Sequence, residues 1–514
     1  MKRTAIALVV SCLVLLGACG GTSDGGDNGD GGSADVDTSR VLRYVTSGGV
    51  ISFDPHKTVS SSDFILLNYV YDRLVHTNTE GEPVPGLAES WEYSDDLTQL
   101  TLHLRTGLTF GDGTAFDADA VKANLERATE PDSIAAAQLA TISGVEVVDD
   151  ETVRIDMSQP GAEMLLTLSD LAGMMVNPSA FATQDKAAGL ATQPDGIGRF
   201  TLGEVQPGSS YQFVAVDDYW DPDALPVAGI DVSVITDPQT ALNTLSSGQS
   251  DCALVSPGMI DPAGQIPDAE VKSRSVLTQT ILFFNQGKGA LADPLVRQAI
   301  NHAIDRDAVL QAAQEGHGEA SEGLFPADFF VPNDETAHLL SYDPDKAEEL
   351  LAEANADDVS FTALTLTIPQ FVTTAEVVKD QLAKVGITME IKALPPADLS
   401  MTFLKGEGDA VITGWTGRPD PSMLFTSYFA ADAVQNVSHV SPDGFEQALA
   451  AANAIDDRAE RGTALDAVQA TVLEAGAVAP LTFNEVGTVC TSEVVGYEPP
   501  VIGISEFRGV GLVG

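Results

Sequence analysis

Basic residues are scarce in this chain of 514 residues: 26 Lys and Arg stand against 75 Asp and Glu, a formal net charge of −49. So acidic a surface repels phosphate backbones, which excludes nucleic acid binding through basic stripes, and it repels anionic lipid heads for the same reason. Cysteines number only 4, too few for a disulfide framework or a Cys₄ metal cluster. No apolar run reaches the ~20 residues of a membrane-spanning helix. Catalytic signatures are missing as well. There is no H-E-x-x-H, no Walker-type phosphate loop and no G-x-S-x-G elbow, and the 7 histidines show no metal-ligand spacing. One G-x-G-x-x-G occurs, at 509–514, with no helix behind it to present an N-terminus to a phosphate. Neither a metal nor a cofactor is implied.

What is present is a globular composition, with 44% hydrophobic residues, and a length that predicts two to four domains at ~150 residues each. Lys2 and Arg3 precede a short apolar run ending in Leu16-Gly17-Ala18-Cys19. That tetrad resembles a bacterial lipobox, so residues 1–18 read as a lipoprotein signal peptide and Cys19 as the lipid-bearing residue. Residues 19–40, mostly Gly, Ser and Asp up to Ser39, read as a flexible tether. Removing residues 1–18 takes away basic groups and no acidic ones, so the acidity belongs to the exported body. These features predict a protein anchored by lipid to the cell membrane and facing the extracytoplasmic or periplasmic side.

From Val41 onward strand and helix patterns alternate. Residues 42–45, 97–104 and 152–157 read as strands. Asp117, Asp237, Asp293 and Asp343 are placed to cap helices, the last three followed by proline, and Gly248 and Gly386 to end them. A helix over 375–385 and the alternation Ile387-Met389-Ile391 make a helix–strand unit of open α/β sheets. Residues 319–338 read as an irregular connection. Cys252 and Cys490 each lie in an apolar, strand-like run. An exported protein permits a disulfide between them; two separate buried small apolar residues are the expectation.

The stretch EPVPGLAESWEYSDDLTQLTLHLRTGLTFGDGTAFDADAVKANLERA at 82–128 resembles the signature region of the bacterial extracellular solute-binding proteins of family 5, the dipeptide, oligopeptide and nickel receptors of ABC importers. Further strings run in the order that family has: Ser52-Phe53-Asp54-Pro55-His56, Tyr71-Asp72-Arg73-Leu74-Val75, Gly196-Ile197-Gly198-Arg199-Phe200, Asp217-Asp218-Tyr219-Trp220, Phe284-Asn285-Gln286, LADPLVRQAINHAIDR at 291–306, and Gly414-Trp415-Thr416-Gly417-Arg418-Pro419-Asp420-Pro421. The resemblance implies an α/β, two-lobed periplasmic-binding-protein-like fold of type II, with an extra subdomain in lobe I and a hinge-closing cleft. It also implies no catalytic activity. The expected division is 41–75 with 194–283 and 486–514 as the lobe I core, 76–193 as the extra subdomain and 284–485 as lobe II. The chain would cross near Leu282–Asn285 and return near Phe483–Val486.

On this reading the chain is the substrate-binding component of an ABC importer. It captures a peptide-like or other small polar solute and delivers it to the permease's transmembrane subunits, as a monomer. A secreted hydrolase or a solute-sensing lipoprotein using the same cleft are the alternatives. Peptide-binding relatives carry an Asp after the G-W segment that pairs with the ligand's α-amino group. Here Arg418 stands in that place, a fork suited to a carboxylate or phosphate, which points to an anionic solute. Asp420 takes over an amine, or Arg418 and Asp420 pair with each other. Trp415 is a candidate cleft wall, Asn285 a ligand or hinge contact, and Ser47, Gly48 and Phe53 follow the first strand, where α/β sheets place ligands.

Overall fold

The computed structural model describes residues 36–58, 61–433 and 435–514. The signal segment 1–18, Cys19 and the tether up to residue 35 lie outside these residues. Residues 36–40, placed by the sequence in the tether, are folded. Val36 bridges Val513, and Arg40 donates to the Val513 carbonyl (2.6 Å) and pairs with Glu493 (2.6 Å).

One eleven-stranded mixed sheet runs through the molecule. Its axis is a pair of long antiparallel strands, Ala269–Phe284 and Val478–Thr491. On one side, residues 279–284 pair with Ala410–Trp415, which continues into Ser360–Leu366 and Thr388–Leu394. On the other side, residues 487–490 pair with Cys252–Val255, which continues into Val41–Thr46, Gly229–Val234 and an antiparallel edge. One apolar cluster, around Leu42, Ile230 and Phe213, extends across the crossing strands to Val411, Trp415 and Leu424, and a second lies around Ile300, Val378 and Ile412. A separate four-stranded antiparallel sheet (88–93, 99–104, 152–157, 142–149) carries the helix Ala118–Ala128 on a third cluster. The pairing of the two long strands loses register between Ser275 and Gln279. That interruption lies upstream of Leu282–Asn285, because residues 279–284 already pair with Ala410–Trp415.

Local signals account for the elements. The side chains of Asp117, Asp237, Asp293 and Asp343 accept from Ala120, Thr240, Leu295 and Lys346 N–H groups, each satisfying an orphan donor of the first turn. The helix read over 375–385 begins earlier, at Pro369, whose fixed φ suits a first turn, and ends at Lys384 before Gly386 at φ +83°.

The cysteines correct the expectation of two separate buried residues. Cys252 and Cys490 form a disulfide, as directly opposed residues of antiparallel strands with Cα atoms 4.1 Å apart. Strand pairing across a separation of 238 residues brings them together, and no local pattern announces it.

A buried polar cluster closes the molecule far from that bond. Arg461 donates to both oxygens of Asp420 (2.7 and 2.8 Å), with Ser422 and Asn453 alongside. Opposite, from the segment after strand 152–157, the Ala162 N–H donates to the Asn453 carbonyl (3.0 Å) and brings in buried Glu163. Burial first, and then the Asp420 charge, push the Glu163 carboxyl up to about 7, against the pull of Arg461. Tyr93 also faces this group.

Two stability predictions follow from these features. Cys252→Ala with Cys490→Ala should lower unfolding free energy by about 3–5 kcal/mol in urea titrations, since the bond closes a very long loop; an unchanged midpoint would deny it that role. Glu163 holds its proton in the folded state up to about 7 and loses it near 4.5 when unfolded. The Glu163 contribution to stability should therefore be greatest below pH 4.5 and fall by an amount on the order of 2–3 kcal/mol as pH rises to 7. Glu163→Gln should remove that slope, read from urea midpoints at pH 5, 6 and 7.

Candidate ligand site between the lobes

Strands Val41–Thr46, Gly229–Val234 and Cys252–Val255 are parallel, so their C-terminal ends share one edge of the sheet. Beyond such an edge neighbouring loops diverge and leave a crevice. A pocket of about 240 Å³ opens there. Ser47, Thr236 and Ser256, each just past a strand end, line it together with Met259. Gln370, in the first turn of the helix Pro369–Lys384, and Asn484, on the crossing strand, close it from the other half. The Gln370 side-chain amide donates to Asn484 Oδ1 (3.2 Å), fixing the two together. No charged side chain is among the described lining residues. The wall offers hydroxyls, amides and apolar surface, which suits hydrogen bonding to an uncharged polar group.

Of the residues singled out in the sequence, Ser47 lines this pocket and Gly48 follows it, half-buried. Phe53 is buried edge-on to Tyr211, ring centroids 6.1 Å apart. Trp415 lies opposite Gln279, which lies opposite Phe483. Directly opposed residues share a face, so these three point away from Asn484, the next residue along. Trp415 and the pocket are thus on opposite faces of the crossing strands.

Arg418 donates from Nη1 to both oxygens of Asp170 (3.2 and 3.0 Å). Asp420 caps the helix Pro421–Tyr428 through the Ser422 N–H and pairs with Arg461. The alternative of a pair between Arg418 and Asp420 is therefore corrected: each has its own partner. Asn285 closes a turn, its side-chain oxygen accepting from Gly287 N–H (3.3 Å) and its own N–H bonding Asp409 (2.8 Å). It stands at the far end of strand Ala269–Phe284, about 20 Å along from Trp415's partner Gln279. The structure does not gather the seven residues in one place.

Sequence reasoning missed Thr236, Ser256, Gln370, Asn484 and Asp170. Thr236 had a signal, since the Asp237-Pro238 cap marks the end of the strand before it. Asn484 had none, being one polar residue inside a strand.

The segments that carry the family resemblance serve the frame. Asp72 accepts from the Tyr219 hydroxyl (2.6 Å) and Trp220 Nε1 (2.7 Å), joining two of the quoted strings. Arg127 donates to both oxygens of Asp54 (2.9 and 2.5 Å) beside His56, which burial and then the Arg127 charge hold down to about 3, so the imidazole is neutral. Arg199 donates to the Glu506 carbonyl (2.6 Å). Among the described residues no group of three or more His, Cys, Asp or Glu is placed to hold a metal ion, and no helix is long and apolar enough to cross a membrane.

Comparison with known proteins agrees with this architecture. The chain is 26% identical to heme-binding protein A of Haemophilus influenzae over 552 aligned positions, covering 100% of both chains. It is 28% identical to the dipeptide-binding protein of Escherichia coli over 516, covering 92% of this chain and 95% of that one. The periplasmic binding protein DppA of Helicobacter pylori, solved in complex with the peptide STSA, superposes with a TM-score of 0.82 at 24% identity, over 93% of this chain and 99% of that one. This likeness shows the two-lobed α/β fold. Residues 82–436 match the model of the bacterial extracellular solute-binding proteins, family 5. The chain belongs to that family.

Proposed function

We propose that the chain captures a peptide-like or other small polar solute between its lobes and delivers it to the transmembrane subunits of an ABC importer, while held to the outer face of the cell membrane by lipid on Cys19. As a family member it is a non-enzymatic solute-binding component of transport. The observation that carries the reading is the uncharged pocket of about 240 Å³ whose wall comes from both halves. A solute lodged there touches Ser47 and Ser256 on one lobe and Gln370 on the other, so its binding energy favours closure. The names of relatives that bind dipeptides and tripeptides support a peptide-like solute.

Of the sequence-derived contacts, we assign Ser47 and Gly48 to the pocket rim. Trp415 and Arg418 belong to a second wall on the opposite face of the crossing strands. Arg418 uses only Nη1 on Asp170; its Nε and Nη2 carry no hydrogen bond among the described residues, and the side chain is 27% exposed. That free edge suits an anionic group of the solute. We place the lobe exchange at the register interruption of residues 275–279. One lobe then holds the sheet of strand 41–46 with the four-stranded subdomain, and the other the sheet of strand 410–415.

Native mass spectrometry of the purified protein should reveal a co-purifying small molecule. Ser47→Phe should fill the pocket and lower affinity for that molecule at least about tenfold in calorimetry; undiminished affinity would place the solute elsewhere. Cys19→Ser should move the protein from the membrane fraction of its host to the soluble fraction, and persistent anchoring would remove Cys19 from this role.

A further inference from the structure

Asp170 is fully buried, yet its partner Arg418 comes from the other half of the molecule. Its seat is built entirely from the first lobe. Its Oδ1 accepts from the Leu171 N–H (2.8 Å), Arg73 holds the neighbouring Ser169 carbonyl (3.1 Å), and the Gly173 carbonyl accepts from Leu74 N–H (2.9 Å). The seat of Arg418 belongs to the second lobe. It follows strand Ala410–Trp415, and Gly417 beside it lies so close to Leu277, within the register interruption, that an added Cβ would come within 1.9 Å of the Leu277 Cβ. The loop bearing Arg418 is therefore clamped at the hinge itself, and rotation about residues 275–279 must carry the guanidinium toward or away from Asp170. A buried carboxylate left without its cation is costly, which makes the contact a switch between two arrangements.

We propose that Asp170 and Arg418 form a tie across the cleft that holds the lobes closed without any solute, with Asp170 as the positioning residue that fixes Arg418 at the cleft wall. The proposal rests on the receptor reading for its purpose. The tie itself is a property of the chain alone. Because Asp170 is enclosed, the tie resists screening by salt far better than a surface pair. Phe64 lies under the guanidinium (5.8 Å to the ring centroid) and limits its alternatives. Closure in this chain is thus biased by an internal cation, and the solute adds to a bias already present.

The test is the distance between lobes in the protein with no solute added. Spin labels at Val148→Cys and Met401→Cys sit on exposed positions, 53% and 56%, of the four-stranded sheet and of the helix Pro396–Leu404. The native cysteines 252 and 490 are bonded to each other and take no label. Pulsed electron–electron resonance should show one short distance in the parent protein. Arg418→Gln and Asp170→Asn should each shift the population about tenfold toward a longer distance, and the double variant should go no further than either single one. Distances unchanged by Arg418→Gln, or shifts that add in the double variant, would overturn the tie. Arg418 is on a partly exposed loop, so Arg418→Gln decides the matter should Asp170→Asn not fold. A receptor with no solute in native mass spectrometry but a tenfold opening in these variants would reject the functional reading and leave the tie standing.

Discussion

The two long strands Ala269–Phe284 and Val478–Thr491 are the constraint on which the rest of the structure depends. At about 3.3 Å per residue each spans some 45–55 Å, enough to belong to both lobes at once. The upper part of Ala269–Phe284 bonds to Ala410–Trp415 and the lower part of the returning strand to Cys252–Val255, so the sheet is continuous from one side to the other. The ladder between the two long strands loses register twice, between Ser275 and Gln279 and between Thr280 and Ile281. Asp170 and Arg418, 248 residues apart in sequence, meet in a defined geometry. The Cys252–Cys490 bond fastens the returning strand to the first lobe at the far end from the hinge, so that strand cannot slip in register while the lobes rotate.

The same strands also divide the cleft. Strict alternation of side chains places Gln279, Phe483 and Trp415 on one face and Asn484 on the other. Trp415, Phe483 and Gln279 are buried on the first of these faces, and Asn484 joins the hydroxyls and amides of the pocket on the second.

The helix frame and several individual strands were legible in the sequence to the extent that they rest on local chemistry, while the order of strands in the sheet was not. Asp-Pro at 237, 293 and 343 announces a helix because a carboxylate capping the first turn and a proline inside it are both satisfied by neighbours in the chain. Asp420-Pro421 carries the same signal, and Asp420 does cap a helix. What the sequence could not display is its burial against Arg461, which depends on helix Arg458–Glu474 packing alongside. The cysteine pair, the Asp170 contact and the Gln370–Asn484 wall were illegible for one reason. Each joins residues from separate elements whose proximity exists only after the sheet has formed. Neutral amides add a second obstacle, since nothing in their local pattern separates a pocket residue from a solvated one.

Charge ties these observations together. With so few cations, the chain places many of its arginines inside. Arg73, Arg127 and Arg461 meet carboxylates, while Arg306 is ringed by the carbonyls of Pro480, Asn301, Ile304 and Leu340, its pKa brought down to about 9 by burial. The surface keeps its lysines, several of them exposed, but acidic groups far outnumber them, and the net field discourages acidic solutes on approach. That field fades over about 8 Å at physiological salt and therefore governs encounter more than retention. The pocket presents no charged side chain among its described lining residues, so the acid excess of the surface does not extend into it. An acidic solute would arrive slowly. A neutral one would arrive unhindered and be held by hydrogen bonds alone. The overall charge of −49 thus acts on the rate of encounter rather than on the local chemistry of the pocket.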